Sequence, residues 1–254
     1  MLNKRIISAI IGLALFLVLL YTGGIALRIA VVMVTLLCMM ELKGTLGSAY
    51  RLDDFLSAVV VALCFFLPID LAMALVFIYF VALLALSLIM SPFDLHRVYM
   101  NGFAFAFILF PFLLLYRIIA FSPINNLYLL VFALAWGNDT FAYFVGTYFG
   151  STHYTKISPN KTVEGALGGM IGGLLLIALI KVFFIKDVSF AALFLFGIVG
   201  SFAAQAGDLF GSYMKRSNQV KDFGIIMPGH GGMLDRFISV LFTAVVLYLL
   251  QGYF

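Results

Sequence analysis

Long apolar blocks separated by short polar segments run along nearly the whole chain. An α-helix rises 1.5 Å per residue, so about 20 apolar residues cross the roughly 30 Å of hydrocarbon in a bilayer. The third and fourth blocks are divided only by Pro68 and Asp70 and could form one re-entrant pair. The pattern predicts nine membrane-spanning helices, at approximately 6–22, 24–42, 54–69, 70–90, 101–120, 127–149, 164–185, 189–214 and 234–253.

Composition supports a membrane protein. Hydrophobic residues make up 65% of the chain and charged residues 10%, whereas a soluble domain has about 25% charged residues. We therefore predict an all-α, polytopic integral membrane protein. We expect N-terminal transmembrane helices over 1–125 and C-terminal ones over 126–254, with the active site in the second group. The net charge of +4 is too small to indicate nucleic acid as a partner.

Basic residues predict the orientation. With nine spans, 11 of the 15 lysines and arginines lie on the side of the N-terminus and four on the other. The positive-inside rule then places the N-terminus in the cytoplasm, in a cell (inner) membrane. Polar residues are concentrated in two stretches, 136–165 and 205–239, which both reach that cytoplasmic side.

The first polar stretch contains a carboxylate within an apolar helix, Asp139. Because a charge there is costly, Asp139 should face a polar cavity or pair with a cation. Ser158 and Lys161 lie in a turn that opens the next helix, and a helix N-terminus beside a lysine is a natural anion site. The alternative is a helix cap with Glu164 in the first turn and a lysine that only marks the membrane surface.

Small residues recur at four-residue spacing after this turn. They form two ladders, one of Gly165, Gly169 and Gly173 and the other of Gly168 and Gly172. Such ladders let two membrane helices approach closely. We expect close helix packing here.

The second polar stretch has carboxylates and cations together. Asp208, Ser212 and Lys215 are spaced i, i+4 and i+7, so they share one helix face. The glycine-rich segment 228–232 lets backbone N–H groups approach a phosphate. A basic loop drawn to anionic lipid would explain the cations but neither Asp208 nor Asp235. Carboxylates with several cations suggest Mg²⁺ and a polyphosphate.

These residues resemble the signature of the phosphatidate cytidylyltransferases, also called CDP-diacylglycerol synthases. The upstream Asp139-x3-Tyr143-x2-Gly146 and Ser158-Pro159-x-Lys161-Thr162-x-Glu164-Gly165 are similar to the same family's pattern. The long motif is Ser212-x-Met214-Lys215-Arg216-x4-Lys221-Asp222-x-Gly224-x3-Pro228-x-His230-Gly231-Gly232-Met233-x-Asp235-Arg236.

The resemblance implies that CTP and phosphatidate are the substrates and Mg²⁺ the cofactor, in a lipid bilayer, with a homodimer as a possible assembly. It implies Asp208 and Asp235 as metal ligands. It implies catalytic roles for Lys215, Arg216, Lys221, Asp222, His230 and Arg236. It implies substrate binding by Asp139, Ser158, Lys161, Ser212, Gly231 and Gly232.

Two positions differ from the family pattern. Gly211 stands where the family usually has Glu, and Ile238 stands where it has a further Asp. Two alternatives therefore remain open: a divergent member with lost or altered activity, and an ion-coupled transporter that uses Asp139 and Asp208 within the membrane.

Overall fold

A computed structural model describes residues 12, 14–47, 51–89, 95–155, 157–185, 188–226 and 231–254. Most of these residues lie in helices, and the described part of the chain contains no β-strand. An isolated antiparallel bridge joins His153 and Thr162. The helices are α1 (Gly24–Thr45), α2 (Arg51–Cys64), α3 (Ile69–Ile89), α4 (Leu95–Ala104), a π-helical turn (Phe105–Leu109), α5 (Phe110–Phe121), α6 (Tyr128–Phe149), α7 (Val163–Phe184), α8 (Phe190–Ser217) and α9 (Leu234–Leu250), followed by a 3-10 turn (Gln251–Tyr253).

Seven helices of the described chain are long and apolar enough to cross a membrane, which confirms the prediction of an all-α, polytopic membrane protein. Two of the nine predicted spans are not among them. Within the predicted span 6–22, residues 6–11 and 13 lie outside the described residues, and the described residues 12 and 14–22 are helical. The apolar part of α2 is only Asp54–Cys64, which covers about half of the hydrocarbon thickness at 1.5 Å per residue.

By its internal contacts the chain divides into two compact units. The first comprises Met1–Tyr116 with Asp222–Asp235, and the second comprises Arg117–Lys221 with Arg236–Phe254. The predicted domain boundary at 125 and 126 stays a prediction, because a compact unit need not be a domain.

A buried polar cluster joins helices of the first unit. The ammonium of Lys43, which is 5% exposed, donates to Asn101 Oδ1 (2.9 Å) and Ser57 Oγ (3.3 Å) and forms an ion pair with Asp54 (3.0 Å). Tyr79 donates its hydroxyl to Asn101 Oδ1 (3.0 Å). These contacts supply the partners that a buried charge requires.

Close contact between α6 and α7 organises the second unit. A Cβ atom at Gly169 would lie 2.6 Å from the Asn138 carbonyl oxygen, and one at Gly168 would lie 2.5 Å from Val145. A Cβ at Gly172 would overlap the ring of Phe141. The predicted role of the glycine ladders in helix packing is confirmed, and this packing fixes α6 beside the start of α7.

Candidate functional site

Helix α8 carries the predicted polar face. Asp208, Ser212 and Lys215 all lie within this one helix, so the prediction that they share a face is confirmed. All three side chains are half-buried. Lys215 and Arg216 lie in the last turn, where cations interact favourably with the negative end of the helix dipole.

An ion pair joins this face to the turn before α7. The ammonium Nζ of Lys161 contacts Asp208 Oδ2, with the Lys161 side chain 23% exposed and that of Asp208 40% exposed. Lys161 precedes Thr162, the N-cap of α7, whose hydroxyl oxygen accepts the Gly165 N–H (3.1 Å). A cation therefore stands at the Asp208 carboxylate, beside the positive end of a helix dipole.

The turn that carries Lys161 is held at both ends. The Glu164 carboxylate accepts hydrogen bonds from the Ser151 hydroxyl (2.7 Å) and the Thr152 N–H (3.2 Å). The Ser158 carbonyl oxygen accepts the Lys161 N–H (3.0 Å). Thr162 therefore caps α7, and in the same turn Lys161 contacts Asp208. A substrate-binding role for Ser158 and Lys161 stays a prediction.

Asp139, on α6, belongs to the same cluster. Its Oδ2 accepts a hydrogen bond from the Ser239 hydroxyl (3.1 Å). It lies within electrostatic reach of Asp208, Lys161 and Arg236. Two carboxylates and two cations are therefore gathered in the second unit, among helices that are long and apolar enough to cross a membrane. Such surroundings match those expected for a carboxylate within an apolar helix.

Neutral polar residues that the sequence analysis did not single out border this cluster. Gln205 donates its side-chain N–H groups to Asn138 Oδ1 (3.1 Å) and to the Ala166 carbonyl oxygen (2.9 Å). Partial burial, together with the negative charge of Asp208, raises the pKa of the Tyr154 phenol above its ordinary value. Tyr154 is therefore a neutral hydrogen-bonding group near Asp208 at physiological pH.

In the first unit, Asp235 orders a tight loop. Its Oδ2 accepts the N–H groups of Phe223 (2.9 Å) and Gly232 (3.0 Å). Gly231 has a φ of 86°, which favours glycine. A Cβ atom there would lie 3.1 Å from carboxylate oxygens of both Asp222 and Asp235. Three of the predicted loop residues therefore lie together around Asp235.

Glu41 of α1, which the motif does not include, also contacts this loop. Glu41 is 7% exposed, and its two carboxylate oxygens accept the N–H groups of Met233 (2.9 Å) and Leu234 (2.8 Å). The available signal was a carboxylate near the end of a predicted membrane span, where a charge requires partners.

The structure leaves the roles of five predicted residues as predictions. His230 lies outside the described residues, which resume at Gly231. Arg216, Lys221, Asp222 and Arg236 are exposed, and their catalytic roles stay predictions.

Both positions that differ from the family pattern are packed inside the second unit. Ile238 is 3% exposed, and Gly211 is also buried. The Ile238 carbonyl oxygen lies 3.2 Å from the position that a Cβ atom at Gly207 would take. In this chain these positions therefore serve helix packing.

The donor groups fit a metal that is held mainly by its substrate. Among the described residues, no three or more His, Cys, Asp or Glu side chains form a group that could hold a metal ion. Mg²⁺, however, is usually bound through one or two carboxylates, with substrate phosphates and waters completing its shell. Asp208 pairs with the Lys161 ammonium, and Asp139 lies within electrostatic reach of Asp208. Both residues have carboxylate oxygens, which are suitable ligands for Mg²⁺.

Sequence comparison decides the family. A model of the cytidylyltransferase family matches residues 3–254. The chain belongs to the cytidylyltransferase family. This confirms the family that the motif predicted. Of its relatives, a phosphatidate cytidylyltransferase from Staphylococcus epidermidis is 32% identical over 97% of both chains.

Other cytidylyltransferases match over shorter segments. The phosphatidate cytidylyltransferase of Aquifex aeolicus is 42% identical over 59% of this chain and 57% of its own length. That of Bacillus subtilis is 43% identical over 47% of this chain and 45% of its own length. The matched segments thus span about half of each of these two relatives.

Proposed function

We propose that this protein is a phosphatidate cytidylyltransferase, which converts CTP and phosphatidate to CDP-diacylglycerol and pyrophosphate. The observation that carries the proposal is the Lys161–Asp208 pair, built into the membrane helices of a cytidylyltransferase-family protein. A cation and a carboxylate at the membrane edge suit a reaction between a nucleotide and a lipid. Family membership also favours an enzyme over an ion-coupled transporter.

The proposed reaction needs no nucleophile from the protein. A phosphate oxygen of phosphatidate forms a bond to the α-phosphorus of CTP. The bond from that phosphorus to the oxygen bridging the α- and β-phosphates breaks, and pyrophosphate leaves with the bonding electrons. Both substrates are anionic, so catalysis depends on positioning and charge neutralisation.

The chain's cations meet that requirement. Lys161, anchored at the positive end of α7, donates to a substrate phosphate while Asp208 keeps its ammonium oriented. Lys215, Arg216 and Lys221 offset the repulsion between the two anionic substrates. Mg²⁺, when bound, supplies further positive charge to the departing pyrophosphate, and Asp208 is the ligand that the geometry supports. The metal role of Asp235 stays a prediction from the motif.

The substrates also define the location. The diacyl tails of phosphatidate remain in the bilayer, and CTP is supplied from the cytoplasm. We therefore propose a cell (inner) membrane protein whose N-terminus and active-site loops are cytoplasmic, as the distribution of basic residues predicts.

Thin-layer analysis of lipid products tests this function. Purified protein is incubated with labelled CTP, phosphatidate and Mg²⁺, with and without a chelator. Labelled CDP-diacylglycerol should form only in the presence of phosphatidate and the metal. Ion flux in proteoliposomes without CTP consumption would support the transporter instead, and intact protein that forms no product would indicate a relative with lost activity.

A further inference from the structure

We infer that Glu41 is a positioning residue, which holds the loop around Asp235 in the arrangement that binds nucleotide phosphates. The inference rests on the proposed function. Each oxygen of the Glu41 carboxylate accepts one backbone N–H, from Met233 at 2.9 Å and from Leu234 at 2.8 Å. Leu234 begins α9, and the first N–H groups of a helix have no acceptor within the helix. A two-point contact fixes both the position and the direction of this segment.

The loop is shaped around that carboxylate. A Cβ atom at Gly224 would overlap Glu41, whose side-chain atoms are the three nearest neighbours of that position. A Cβ atom at Gly232 would lie 2.5 Å from Glu41 Oε2. Two loop glycines therefore leave the space that the carboxylate fills, which a simple surface cap would not require.

The contact continues from Glu41 to Asp235 through the backbone. Glu41 holds Met233 and Leu234, and the adjoining Gly232 donates its N–H to Asp235 Oδ2 (3.0 Å). Phe223 donates a second N–H to the same oxygen (2.9 Å). Moving the Glu41 carboxylate therefore moves the segment that orients Asp235, the predicted metal ligand, and that contains Gly231 and Gly232, which the motif predicts to bind substrate.

The first test is Glu41→Gln. The amide keeps one acceptor oxygen but turns an NH₂ group towards the second N–H, so one charged hydrogen bond is replaced by a donor–donor contact. Loss of such a bond predicts a decrease of about 10- to 100-fold in kcat/KM for CTP, mainly through a higher KM. Lys43→Met is the matched control, because Lys43 is on the same helix, is equally buried, and bonds to Asp54, Ser57 and Asn101 instead. The control should lower thermal stability and leave KM for CTP unchanged.

A double-mutant cycle tests the contact itself. Gly224→Ala should impair CTP use strongly in the native background and weakly in Glu41→Ala, where the obstructing carboxylate is absent. An equal effect of Gly224→Ala in both backgrounds would overturn the inference. The inference would also be overturned if Glu41→Gln kept the native KM for CTP and lost activity only in proportion to its loss of thermal stability, as expected for Lys43→Met. A native protein that makes no CDP-diacylglycerol would refute the proposed function, whereas equal CTP use by native and Glu41→Gln proteins would refute only this inference.

Discussion

Asp208→Asn removes the negative charge that faces Lys161 and changes the side-chain volume very little. The ion pair is partly solvated, because the two side chains are 23% and 40% exposed. Pairs of this kind contribute about 0.2–1 kcal/mol to stability, which corresponds to a shift in Tm of less than about 4 °C for a protein of this size. The effect on turnover should be far larger. Loss of one preorganised electrostatic group in an active site typically lowers kcat by about 10²- to 10³-fold.

The assay therefore compares two quantities in the same preparation. Formation of labelled CDP-diacylglycerol gives the turnover, and thermal unfolding in detergent gives the stability. Asp70→Asn is the control, since Asp70 is an exposed carboxylate in the first turn of α3 and its loss should leave turnover unchanged. Near-native turnover of Asp208→Asn would refute the role of this carboxylate, as would a defect that disappears once the folded fraction is taken into account.

Three further predictions follow from packing and topology. Ile238→Asp should lower thermal stability sharply and bring no gain in activity at low Mg²⁺, because it buries a charge at a position that is 3% exposed. The control Ile238→Val should lower the free energy of unfolding by only about 0.5–1.5 kcal/mol. A lower Mg²⁺ requirement in the Asp variant would contradict the packing role. Gly169→Val should separate α6 from α7 and reduce the yield of folded protein. Gly252→Val should not, because a Cβ atom at Gly252 would have no neighbour within 4 Å. Equal yields of the two variants would refute the close-packing argument. In cells, a cysteine at Asn218 should resist an impermeant thiol reagent and one at Phe254 should react, and the reverse pattern would invert the proposed orientation.

Helix positions were largely predictable from the sequence because a membrane span has a fixed length and a uniform apolar character. The predicted spans 127–149 and 164–185 match Tyr128–Phe149 and Val163–Phe184 to within one residue. The prediction was less accurate for 54–69, where the apolar run continues past the end of α2 at Cys64. Hydropathy alone does not show where a helix ends within such a run.

The site was predictable only within each segment. The spacing of Asp208, Ser212 and Lys215 gave a shared face because helix geometry is local. The pairing of Lys161 with Asp208 was not predictable, since it depends on the conformation of a turn that Glu164 stabilises through hydrogen bonds to Ser151 and Thr152. The contact of Glu41 with Leu234 joins residues 193 positions apart, and no local pattern encodes it.

That separation has a consequence for synthesis of the protein on the ribosome. At about 5–20 residues per second, Glu41 is made some 10 to 40 s before the N–H groups that it holds. During this interval the Glu41 carboxylate lacks the two N–H donors that it has in the finished fold, so its contact with the loop forms only near the end of synthesis. Chains truncated just before Met233 should therefore be degraded faster than the full chain in a pulse-chase experiment, and Glu41→Ala should narrow that difference. The contact between α1 and this loop thus forms only after Leu234 has been synthesised.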